Sequence, residues 1–104
     1  MHQIEIEYQG GLRTEAVHLK SGQRLITDAP VDNKGKGEAF SPTDLAAGAL
    51  GSCMLTIMGI TADSRDMDIT GTRAEVEKVM GANPRRIAEI IINIYFQTTL
   101  SDQE

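Results

Sequence analysis

The run Phe40-Ser41-Pro42-Thr43-Asp44-Leu45-Ala46-Ala47-Gly48-Ala49-Leu50-Gly51-Ser52-Cys53-Met54-Leu55 is the most apolar stretch of the chain, and it begins like a helix. Ser41 is a good N-cap and Pro42 suits the first helical position. Asp44, three residues after the cap, supplies the acidic partner of a capping box and complements the helix dipole. Leu45, Ala49, Cys53 and Ile57 then follow at intervals of four, with Ala46, Leu50, Met54 and Met58 beside them. So wide an apolar face belongs to a helix enclosed on more than one side, so the segment is expected to be buried. Polar residues return at Asp63-Ser64-Arg65-Asp66, where the helix should end.

On the N-terminal side, Gln3-Ile4-Glu5-Ile6-Glu7-Tyr8 alternates with period two, as a strand with one buried face does. Gly10-Gly11 punctuates it. Arg13 to Leu19 alternates less cleanly, Ser21-Gly22 marks a second turn, and Arg24 to Thr27 is a short third strand ending at Ala29-Pro30. Together these predict an antiparallel meander. Residues 31–39 are Gly-rich, charged and aperiodic, which predicts a loop; Gly35-Lys36-Gly37 lacks the spacing of a phosphate-binding loop. On the C-terminal side, Met67 to Val79 predicts one long strand. Asn83-Pro84 turns the chain, and Arg86 to Phe96 returns as its partner. The order is βββαββ, an α+β fold with an antiparallel sheet and a long central helix.

The chain has 104 residues, the size of one domain spanning 1–104, with two Tyr, two Phe and no Trp. Its core must be built from aliphatic residues, Met and Ala, which favours a partner that supplies further buried area. Net charge is −5 and no basic run exceeds Arg85-Arg86, which argues against nucleic acid as a ligand. The N-terminus lacks a signal-peptide pattern, and no apolar run approaches the ~20 residues that span a bilayer, so no membrane association is expected. A single Cys forms no internal disulfide, in keeping with a reducing, cytoplasmic compartment.

Cys53 has two readings from residue chemistry alone. It is a small buried hydrophobe, or it is the one nucleophile available. The remaining candidates are weaker: His2 and His18 have no partner at metal-ligand spacing, so neither a metal nor a cofactor is expected, and His18 sits in an alternating strand. Met54, Met58 and Met67 read as core filler.

The order of these features resembles the OsmC/Ohr family of osmotically inducible and organic hydroperoxide resistance proteins. The features are the Gly10-Gly11 turn with Arg13, Thr27-Asp28-Ala29-Pro30, the Gly-rich loop, Ser41-Pro42-Thr43-Asp44-Leu45, and Gly51-Ser52-Cys53. The resemblance implies an intertwined homodimer and a Cys-dependent peroxidase that reduces organic hydroperoxides in the oxidative stress response. Cys53 matches the peroxidatic Cys, and Arg13 matches the activating Arg. A carboxylate at the helix start completes the set; Asp44 is the candidate, since Thr43 stands where hydroperoxide-resistance members carry Glu. The family's resolving Cys lies on a later helix that has no counterpart here, which implies a missing C-terminal part and an external dithiol reductant.

As chemistry, a thiolate attacks a peroxide oxygen and becomes a sulfenic acid, and a neighbouring cation such as Arg13 would favour the thiolate. Asp44 could orient that guanidinium. Nine helical residues separate Asp44 from Cys53, however, roughly 14 Å and half a turn around the axis. Asp44 would reach the thiol only through a break, for which Gly48 and Gly51 are candidates, or from a second subunit. Otherwise it is simply a cap. The alternative function is a degenerate OsmC-like dimer that binds a small apolar ligand.

Overall fold

The computed structural model describes residues 1–97, in the order β1 (Ile4–Gly10), β2 (Arg13–His18), β3 (Arg24–Asp28), a short 3-10 turn (Val31–Asn33), α1 (Pro42–Ser64), β4 (Arg73–Gly81) and β5 (Arg86–Tyr95). This is the βββαββ arrangement, with the strands distributed over two antiparallel sheets. The chain divides into two compact units between Leu45 and Ala46.

In the first unit, β1, β2 and β3 form a meander in sequence order. Its first turn is built from Gly10, Gly11 and Leu12, all with positive φ, which is why two glycines stand there. Register sets the two faces. Ile6, Ala16 and Leu25 align on one, with Ile4 and Tyr8 beside Ile6; Glu7, Glu15 and Ile26 align on the other, which also carries Glu5, Arg13 and Arg24. The aliphatic face is open in a single chain: Ile4, Ile6, Tyr8 and Leu25 are all exposed.

The loop after β3 folds back on the strand end. Asn33 and Gly35 donate to the Pro30 carbonyl, Gly37 donates to that of Ala29, and Asp28 donates to that of Phe40. Gly35 passes so close to Ala29 that a Cβ there would lie 1.6 Å from the Ala29 carbonyl oxygen.

In the second unit, β4 pairs with β5 over their whole length, from Arg73 opposite Tyr95 to Gly81 opposite Arg86. β4 begins at Arg73, six residues later than its pattern predicts. The Asp68 side chain takes the Thr70 backbone N–H at 2.9 Å, and Gly71 turns with φ +91°, so the segment before Arg73 closes into turns. α1 runs unbroken for 23 residues, and Gly51 lies against Val76 of β4.

Burial of α1 departs from expectation. Ala47, Gly51 and Ala62 are its only buried residues, whereas Leu50, Cys53, Ile57 and Ile60 are exposed. The physical reason is that a two-stranded sheet covers one side of a helix that is apolar all round. The helix is also long and apolar enough, by length and composition alone, to cross a bilayer, with a mean hydropathy of 1.7. Ser52, Thr56 and Thr61 interrupt every apolar run without lowering that mean much.

Candidate functional site

Arg13 is the first residue after the tight turn, and it opens β2. Register places it directly opposite Asp28, the last residue of β3. Arg13 Nη2 lies 3.6 Å from Asp28 Oδ2 and forms a shorter ion pair with Glu38 Oε1. Asp28 is closed in by the returning loop: its side chain is 0% exposed, and its Oδ2 accepts the backbone N–H of Glu38 at 3.0 Å. That hydrogen bond is the main cause holding its carboxyl below the usual value; the charge of Arg13 adds to it, and burial opposes it. Beside the pair, Thr14 and Thr27 share a hydroxyl hydrogen bond of 2.5 Å across the same two strands.

The sequence singled out Arg13 but gave Asp28 and Glu38 no role. For Asp28 a signal was present, since an Asp that ends a strand opposite an Arg implies a cross-strand pair once the hairpin register is known. For Glu38 there was none, because its approach depends on how the loop closes.

The helix start matches expectation. The Ser41 N–H donates to Asp44 Oδ2, and the Asp44 N–H donates to Ser41 Oγ, both at 3.1 Å. Asp44 is therefore a helix cap, and since α1 is continuous, Gly48 and Gly51 mark no break.

Cys53 lies midway along α1 with its side chain exposed, in a stripe with Leu50, Ile57 and Ile60. This corrects the reading of Cys53 as a buried hydrophobe within one chain. One turn further on, Ile57, Met58, Thr61, Met67, Ile69 and Phe96 line an open, mainly apolar groove of about 210 Å³. His18, the last residue of β2, is exposed and bonds Ser21 of the following turn at 2.6 Å, as a surface residue does. Among the described residues no cluster of His, Cys, Asp and Glu could hold a metal ion.

Comparison with known proteins gives these residues a context. A family model for OsmC-like protein matches residues 35–104. The chain belongs to the OsmC-like family. This OsmC-like chain is also 59% identical to a protein of Psychrobacter arcticus 273-4, provisionally described as an osmotic stress induced and detoxification response protein. The crystal structure of that protein superimposes with a TM-score of 0.95, over 99% of this chain and 75% of the other. The βββαββ arrangement is thus the OsmC-like fold. No curated protein matches.

Proposed function

We propose that this OsmC-like protein serves in stress detoxification as a thiol-dependent peroxidase of organic hydroperoxides, with Cys53 as the nucleophile. The observation that carries this reading is that the chain's one thiol stands midway along α1 in a member of the OsmC-like family. The Cys53 thiolate attacks the terminal oxygen of R–O–O–H. The S–O bond forms as the O–O bond breaks, and the departing alkoxide takes a proton to leave as the alcohol. The resulting sulfenic acid is reduced by an external dithiol, which becomes a disulfide and releases water. By its match to the family's activating Arg, Arg13 is assigned the part of favouring the thiolate and holding peroxide oxygen with its N–H groups.

The protein acts as a homodimer in the cytoplasm, without nucleic acid or membrane as a partner. Two features support the dimer: the open aliphatic face of the meander and the exposed stripe on α1, both unusual on a monomer surface. A helix apolar on all sides fits the core of such an assembly. The role of Asp44 in this scheme is to cap the helix that presents the thiol.

The test is consumption of cumene hydroperoxide with a dithiol donor. Cys53→Ser is expected to abolish turnover; equal activity in that variant overturns the proposal. The groove beside Ile57 and Phe96 favours a second reading, a non-catalytic dimer that binds a small apolar ligand. Rapid trapping of a Cys53 sulfenic acid at neutral pH would count against it.

A further inference from the structure

Arg13 is held by two carboxylates that differ in every respect that matters to a ligand. Asp28 grips it from within the sheet, as a register partner with a 0% exposed side chain. Glu38 grips it from the solvent side, on a loop side chain that is 58% exposed. The guanidinium between them is 36% exposed.

Asp28 also has capacity to spare. The Glu38 N–H and the Arg13 Nη2 both fall on Oδ2, and the Ala29 backbone N–H also acts on the carboxylate. Its Oδ1 is buried without a hydrogen-bond partner. A buried carboxylate with an unsatisfied oxygen is strongly disfavoured unless a cation stays beside it. A guanidinium fork can serve both oxygens of one carboxylate. Asp28 therefore holds Arg13 whether or not Glu38 is present. Glu38 is an exposed partner of the kind that exchanges readily with solvent and solutes.

We propose that Asp28 is the positioning residue for Arg13, and that Glu38 occupies the place on the guanidinium where an oxygen-bearing ligand binds. Asp28 neutralises the charge of Arg13 while leaving its outward N–H groups aimed. Arg13 then acts on a ligand as a set of directed donors more than as a bare cation. The identity of the ligand, an organic hydroperoxide, rests on the function proposed above; the anchoring does not.

The test follows the side-chain guanidinium resonances of Arg13 by NMR, in which a held group shows hindered rotation about the Cζ–N bonds. In Glu38→Ala the hindrance is expected to persist, and in Asp28→Asn it is expected to vanish. A guanidinium that rotates freely in Glu38→Ala, or stays hindered in Asp28→Asn, overturns the assignment. Glu38 is an exposed loop side chain, so Glu38→Ala decides the matter even if Asp28→Asn does not fold. A kinetic arm separates this claim from the peroxidase reading. With cumene hydroperoxide, formation of the Cys53 sulfenic acid should slow about tenfold or more in Asp28→Asn. Alkylation of Cys53 by iodoacetamide, which needs the thiolate but no aimed donor, should slow several-fold less than sulfenic acid formation does. A wild-type protein inert to hydroperoxide, with the NMR result intact, defeats the peroxidase reading and leaves the anchor standing. A reactive wild type matched by an equally reactive Asp28→Asn overturns the role of Asp28.

Discussion

Ser41 and Asp44 exchange hydrogen bonds across the first turn of α1, each donating its backbone N–H to the side chain of the other at 3.1 Å. Two of the orphan donors at the helix N-terminus are thereby satisfied reciprocally. Ser41 is buried, so no water can replace its hydroxyl at little cost. Ser41→Ala should lower stability by about 1 kcal/mol, read as a reduced urea midpoint with an unchanged slope.

A second expectation concerns acid. The Asp28 carboxyl is held below its ordinary value of 3.8, chiefly by the Glu38 N–H, with Arg13 assisting against burial. A carboxylate whose folded pKa is depressed contributes stability that is fully present above the unfolded value, and loses it as pH falls through the folded one. The urea midpoint should therefore be level near neutrality and fall below about pH 4. Asp28→Asn should flatten part of that acid slope. Some slope should remain, because Asp68, held down by the Thr70 hydroxyl and N–H, and Glu75, held down by Arg73, titrate with the same sign.

Ile60 offers a test of assembly. Its side chain is 65% exposed in the single chain, where a polar substitution normally changes stability by less than about 0.5 kcal/mol. If α1 is covered by a second copy, Ile60→Glu places a charge in that contact and dissociates the dimer. Sedimentation velocity of wild type and variant distinguishes the two; an Ile60→Glu protein that sediments as wild type removes the support that this stripe lends to a dimer.

Gly35 is a steric requirement. A methyl group there would lie 1.6 Å from the Ala29 carbonyl oxygen, so Gly35→Ala must displace the loop that carries Glu38. The expected readout is loss of the Glu38 N–H to Asp28 contact, seen as faster amide exchange at Glu38, together with a lower melting temperature.

Much of the architecture was legible from local pattern. The cap at Ser41, the proline at position 42, the alternation in Gln3 to Tyr8 and the glycine turn before Arg13 each report on neighbours within a few residues, where chemistry and geometry are coupled directly. The late start of β4 was not legible, because Asp68 and Gly71 compete with the strand pattern by closing turns. Nor was the exposure of α1: an apolar helix pattern says that the face must be covered, and does not say by which chain.

Residue type and short spacing were enough to set the order of elements, the helix start, the one thiol and the family to which the chain belongs. The placement of Arg13 between a buried Asp28 and an exposed Glu38 emerged only from the folded chain. That arrangement needs strand register to align residues 15 positions apart, and a loop closure that brings in a residue 25 positions away. Such distances are set by how the whole unit packs, and local pattern carries no record of them.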